Sequence, residues 1–246
     1  MRWLAVDTAG ETGSVALAQW DDGGRMTPMG CVGLPTRSFS ARLIPAISEL
    51  LQRNHIALVD VDGFVVVRGP GSFTGLRVGL SAVKGLAEAT GKPVIALSRL
   101  AVMASMQPEA PQVRALLDAG RGEFYHGIYR DAGGECAQES LETATTLRAI
   151  FADEKSSPRS GDCTVADRTV ADCTVAESAV VTALSLLGQS AVVVVHVTAA
   201  DVFPLAWRFC QQQNFADVAL LDANYLRQSD AELFAKIPSK SLVPDT

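Results

Sequence analysis

The sequence predicts an α/β protein with mixed sheets and elements in the order βββαβαβα. Three observations lead there. Three apolar segments at the N-terminus are separated by Asp- and Gly-rich turns, which makes an antiparallel meander before any βαβ unit. Helical and strand periodicities then alternate up to about residue 106. A strand that ends in Asp and runs into a hairpin turn occurs twice, at Asp7 and at Asp118, which suggests two related halves.

Trp3 to Val6 is an apolar run ending at Asp7; residues 8–13 turn the chain and Ser14 to Trp20 reads as a second strand. Asp21, Asp22, Gly23 and Gly24 make a hairpin turn because Asp and Gly accept positive φ, and a third strand covers about Pro28 to Leu34. From Ser38 or Ser40, both candidate N-caps, Leu43, Ile44, Ile47, Leu50 and Leu51 recur at helical spacing. Pro45 lies inside that pattern, so a late start or a kink is expected. Val61 to Val67 is a buried strand, a glycine-rich loop follows, and a second helix covers about Thr74 to Thr90. Pro93 to Leu97 is the next strand, with Ser98 placed to cap a short helix ending near Met106.

Two prolines between Gln107 and Gln112 mark a boundary, dividing the chain into residues 1–105 and a smaller unit of residues 106–246. Val113 to Leu117, Gly122 to Arg130 and Glu135 to Leu141 read as strands, and Thr145 to Phe151 as a short helix. Cys163 to Glu177 writes a five-residue pattern three times; it is too short and polar for a solenoid and reads as a variable surface insertion near residues 155–178. Ala179 to Leu187 is then helical, Ala191 to Thr198 a buried strand, and Asp201 to Phe215 a helix that admits Pro204 in its first turn.

Composition narrows the function. Of 246 residues 48% are hydrophobic and 20% charged, an ordinary globular balance, and no strictly apolar run exceeds the five residues of Ala191 to Val195. Five scattered cysteines without a CxxC pair fit reduced thiols, so a soluble, cytoplasmic protein without membrane association is expected. His55, His126 and His196 lie some seventy residues apart, so no helix carries a HExxH or HxxxH metal pair, and no metal site is expected. The net charge of −6 divides into 10 basic and 8 acidic residues before position 106 and 11 and 19 after it. The acidic second part would repel a phosphate backbone.

The strongest local signal is Arg68 to Lys84, RGPGSFTGLRVGLSAVK. Its glycines fit neither GxGxxG nor GxxxxGK[ST], and Pro70 and Thr74 stand where GxSxG needs glycine. The helix start could face an anion with free N–H groups. Packing has its own mechanism: Leu76, Leu80, Val83 and Ala87 share one face, while Gly75 and Gly79 leave bare backbone for another helix to approach, which nominates an interface. The second signal is Asp7 with Thr8, and its counterpart Asp118 with Gly120 and Gly122. An acidic residue there could orient a metal-bound water near phosphates, or simply tie its own turn. Catalytic residues are not identified.

Asp7-Thr8 with Ser14 to Leu17, the run GPGSFTGLR followed by Lys84 and Gly85, Asp118 to Tyr125 and Asn224 to Arg227 together resemble the TsaB family, also called YeaZ. The resemblance spans nearly the whole chain. It implies a two-lobed actin-like ATPase (ribonuclease-H-like) fold and an accessory role beside a TsaD-like enzyme. With a TsaE-like ATPase, that enzyme moves a threonylcarbamoyl group to the adenosine next to the anticodon of tRNAs, so tRNA is met indirectly, through the complex. TsaD holds its metal through a HxxxH pair, which this sequence lacks. The family pairs through the first two helices, here about Ser40 to Leu51 and Thr74 to Ala89; the expected interface residues are Leu43, Ile47, Phe73, Gly75, Gly79, Leu80 and Val83. A homodimer through the same surface is expected when the partner is absent.

The chain departs from the family at Phe39, where a histidine is common, and at residues 160–167, where an actin-like ATPase would hold adenosine on a glycine cluster. No cofactor is therefore expected in the chain alone, with a nucleotide at a subunit junction left open; Asp7, Thr8 and Asp118 are its only candidate ligands. The competing reading is a free-standing nucleotide-binding ATPase or kinase on the same fold. A peptidase lacks any supporting HExxH, GxSxG or Cys/His cluster.

Overall fold

The computed structural model describes residues 1–130, 135–156, 173–178, 180–181, 183, 192–194 and 196–226. Strands β1 (Arg2–Asp7), β2 (Gly13–Trp20) and β3 (Met26–Leu34) form the meander, and β4 (Gly63–Val67) and β5 (Val94–Leu97) add parallel to β1, giving the order β3-β2-β1-β4-β5. The second sheet repeats the plan. An antiparallel meander of β6 (Gln112–Gly120), β7 (Glu123–Arg130) and β8 (Glu135–Thr143) is extended by β9 (Cys173–Glu177) and β10 (Val192–Val194), both parallel, in the order β10-β9-β6-β7-β8. Asp7 and Asp118 thus stand on corresponding strands.

The two-residue period of β1 explains the layering. Leu4 and Val6 point to one face, where they meet α1 (Phe39–Arg53) and α2 (Phe73–Thr90) with Phe64, Val66 and Leu80. Trp3 and Ala5 point to the other, into a core shared with α3 (Arg99–Ser105), with Val113, Ala115 and Leu117 of β6, and with Val175 of β9. Leu116, Phe124 and Ala176 pack on the far side of the second sheet against Leu147 and Phe151 of α4 (Ala144–Ser156).

Chain order and packing part company near the C-terminus. The 3-10 turn Ala199–Val202 and α5 (Phe203–Gln211) follow the second sheet in sequence but lie on β1, β2 and β5 of the first, so a division at residue 106 does not describe their packing. Alanines at positions 5, 16 and 18 keep that face shallow, letting Ala199 come close enough to donate its N–H to Ser14 Oγ (2.8 Å). Trp20 then packs edge-on against Phe203 and Trp207. Thr198 and Asp201 close a reciprocal cap that starts the turn before the expected helix.

Several expectations are corrected. Helix α1 starts at Phe39 despite Pro45: Ala41 and Pro45 are both exposed, so the carbonyl that proline cannot satisfy lies on the solvent side. Ser38 and Ser98 occupy N-cap positions without capping; Ser38 Oγ donates to the Pro35 carbonyl and Ser98 Oγ sits 3.4 Å from Tyr129 Oη. The last unit of the five-residue repeat is no surface insertion. Its Thr174, Val175 and Ala176 are buried in β9 between β6 and β10, as β-branched and small residues in an interior strand should be. The earlier repeat units and most of the helix expected over Ala179 to Leu187 lie outside the described residues.

Candidate functional site

Strands β1, β4, β6 and β9 end toward a common crevice, the place where open α/β sheets offer loops and helix N-termini to a ligand. A cavity of about 770 Å³ lies there. One wall is Ser72, Thr74 and Phe39; the other is Asp118, Tyr125 and Glu177, with Arg99 at its base.

The glycine-rich loop is built to touch its own chain. Thr8 Oγ1 donates to the Gly75 carbonyl (2.8 Å), and the Ser72 N–H donates to the Ala9 carbonyl (2.8 Å), so the turn after β1 is laced to the first turn of α2. A Cβ at Gly75 would strike the Thr8 carbonyl, one at Gly79 would strike Thr8 Oγ1, and one at Gly71 would strike the Ala9 carbonyl. Gly69 takes φ +112°, a region side chains disfavour. Ser72 caps α2 through the Gly75 N–H (3.3 Å). These glycines are therefore spent on strand-to-helix packing, and the bare backbone at Gly75 and Gly79 faces Thr8.

The remaining interface expectations divide accordingly. Leu43, Ile47, Leu80 and Val83 are buried in the core under α1 and α2, because the apolar stripe of each helix turns toward its own sheet. They are core positions, corrected from interface positions. Phe73 keeps 36% of its surface, packed at a tilt of 40° against Tyr225 (4.9 Å between ring centroids) beneath the Arg77 guanidinium (3.8 Å). Ile44, 52% exposed on α1, was not singled out for the interface by its sequence pattern.

Asp7 and Asp118 each tie their turn: Asp7 Oδ1 accepts the Ala9 N–H (2.8 Å) and Asp118 Oδ1 the Gly120 N–H (2.7 Å). They differ in surroundings. Asp118 is exposed at the cavity wall, whereas Asp7 is 1% exposed and faces Arg99, whose Nη1 lies 3.4 Å from Oδ2. Arg99 Nη2 donates to Glu177 Oε1 (2.8 Å). Burial pulls the Arg99 pKa down, yet the charges of Asp7 and Glu177 outweigh it and leave the guanidinium above its ordinary value. A metal-bound water oriented by Asp7, as an actin-like ATPase fold implies, does not fit: the carboxylate is buried and already shares its face with a cation. Among the described residues no group of three His, Cys, Asp or Glu side chains is placed to hold a metal ion.

Arg99 and Glu177 escaped the sequence reading. The available signals were a lone arginine opening the otherwise apolar RLAVMAS, and a repeat unit that ends in Glu where its predecessors end in Asp. Among the described residues no helix is long and apolar enough to cross a membrane.

Comparison with known proteins places this arrangement. The family model described as TsaD, tRNA N6-adenosine threonylcarbamoyltransferase, matches residues 34–245. The TsaB protein of Escherichia coli K12, named for tRNA threonylcarbamoyladenosine biosynthesis, is 37% identical over 166 residues, 66% of this chain and 69% of that protein. Its Haemophilus influenzae namesake is 38% identical over 125 residues, 50% of this chain and 51% of the relative. YeaZ from Pseudomonas aeruginosa superposes with a TM-score of 0.68 at 26% identity, covering 92% of this chain and 99% of YeaZ. The paired sheets, the glycine-laced helix and these similarities agree: the chain belongs to the TsaB (YeaZ) family, with the actin-like, ribonuclease-H-like fold.

Proposed function

We propose that the chain is the accessory, non-catalytic partner of a TsaD-like enzyme in the transfer of a threonylcarbamoyl group to the adenosine beside the anticodon of tRNAs. The observation that carries this reading is the match to proteins named for threonylcarbamoyladenosine biosynthesis. The buried Asp7–Arg99–Glu177 arrangement supports the non-catalytic part, since it leaves Asp7 unsuited to orient a metal beside phosphates. A TsaD-like subunit would dock on the exposed face of α1 and α2 around Ile44 and Phe73, with a TsaE-like ATPase completing the assembly. In the absence of the partner the same face would pair two copies of this chain, and tRNA would be engaged through the complex. The compartment that fits this role is the cytoplasm.

The test is co-purification with the TsaD-like protein of the same organism, followed by a transfer assay on tRNA. Transfer is expected only with both chains present; robust transfer by this chain alone overturns the proposal. The cavity of about 770 Å³ favours a second reading, a free-standing nucleotide-binding ATPase or kinase. Calorimetry with ATP or ADP and Mg²⁺ separates the two: tight binding and turnover by the isolated chain would support the ATPase.

A further inference from the structure

Arg99 opens α3 directly after β5, and its backbone N–H donates to the Gly69 carbonyl (2.7 Å), which holds the residue at the floor of the crevice. Its side chain is 3% exposed and faces a carboxylate on each side. Asp7 closes β1 of the first sheet; Glu177 closes β9 of the second. One guanidinium is thus shared between a strand end from each sheet, with Nη1 facing Asp7 and Nη2 donating to Glu177. A Cβ at Gly10 would collide with the guanidinium, so the turn after β1 is also shaped around it. A second tie runs alongside: Asn224 donates its backbone N–H to the Arg68 carbonyl (2.7 Å) of the first unit and its side-chain N–H to Glu139 Oε2 (2.5 Å) on β8.

Two carboxylates converging from one strand end of each sheet are what a divalent cation would need to bridge the sheets. Here a side chain of the protein lies between them. We propose that Arg99 is a built-in cation that clamps the two sheets together through Asp7 and Glu177, so that the width of the crevice is set by the chain itself and the position a dication would take at Asp7 is filled. The ion pair crosses between sheets whose shared core is apolar and non-directional, so together with the Asn224 tie it supplies an angular constraint.

The test measures that angle. Ketone-bearing residues placed at the exposed Ser48 on α1 and Arg148 on α4 take spin labels while the native cysteines stay, and double electron–electron resonance gives the distance distribution across the crevice. E177Q, isosteric and removing only the charge on the second sheet, is expected to broaden and lengthen that distribution, and R99M to do so further, with far-UV circular dichroism unchanged. E49Q, which removes an exposed pair within α1, is the control and leaves the distribution as in the wild type. A wild-type distribution in E177Q, or in both variants, overturns the clamp; if R99M does not fold, E177Q decides. Mn²⁺ titration of the wild-type chain is expected to show no uptake that depends on Asp7. Uptake lost in D7N overturns the claim that Arg99 fills the cation position.

Discussion

Thr8 and Gly75, 67 positions apart in sequence, are joined by a hydrogen bond of 2.8 Å from the threonine hydroxyl to the glycine carbonyl, which seats the N-terminal turn of α2 on the end of β1. The bond exists because neither Gly75 nor Gly79 has a Cβ to hold the strand end away. Gly75→Ala is expected to destabilise the chain by about 1 to 3 kcal/mol in urea denaturation, since the new methyl meets a backbone carbonyl that cannot rotate aside. Gly79→Ala meets only Thr8 Oγ1, so Thr8→Ala should relieve it. The double variant is expected to be more stable than the sum of the single losses, and strict additivity would disprove the contact.

Leu80 and Phe73 lie on one helix and separate stability from association. Leu80→Asp puts an unpaired charge into the core under α2 and is expected to abolish cooperative folding or lower stability by several kcal/mol. Phe73→Glu changes a partly exposed ring and is expected to cost no more than about 1 kcal/mol, chiefly the ring and cation–π contacts with Tyr225 and Arg77. Co-purification with a TsaD-like protein should be lost in Phe73→Glu while its circular dichroism and thermal melt stay near wild type. Retention of the partner would remove Phe73 from the docking surface.

For Arg99 the expected signature is coupling. Arg99→Met leaves Asp7 charged, buried and without its cation, a loss on the order of 3 kcal/mol or more. Asp7→Asn combined with Arg99→Met removes both charges and should recover part of that loss. Chemical denaturation of the four chains of this cycle checks it; a coupling energy near zero would mean that the two groups do not interact.

His126 supplies a pH dependence. Burial first, and the Arg114 charge second, hold its imidazole down at about 4, against about 6.5 when unfolded. Between those values the unfolded chain binds more protons than the folded one, so stability rises with pH through this window and falls on acidification. At pH 5 the loss from this residue is about 2 kcal/mol relative to neutral pH. His126→Gln should flatten the stability profile between pH 7 and 5 by that amount; an unchanged slope would show that the histidine is not kept neutral by the fold.

Periodicity was enough to read the first hundred residues. The meander, the two amphipathic helices and the parallel additions β4 and β5 depend on alternations within one segment, and each segment needs only an apolar face to find its sheet. The paired Asp turns also declared themselves, since Asp7 and Asp118 bond N–H groups two residues on. By contrast β9 hid in a repeat whose polar flanks suggested a surface loop, because a short interior strand shows its burial only once its neighbours are in place.

By itself, the sequence determined the α/β class, the doubled βββ pattern and the glycine-dense strand-to-helix connection, all of which follow from the local preferences of short segments. Only the tertiary structure decided which way each helix turned and what its bare backbone touches. It buried Leu43, Ile47, Leu80 and Val83, aimed Gly75 and Gly79 at Thr8, and brought Arg99 to Asp7 across 92 positions and to Glu177 across 78. The reason is physical: an amphipathic stripe reports that a face will be covered, but what covers it depends on sheet order. A buried charge finds its partner only when strand ends distant in sequence converge on one crevice.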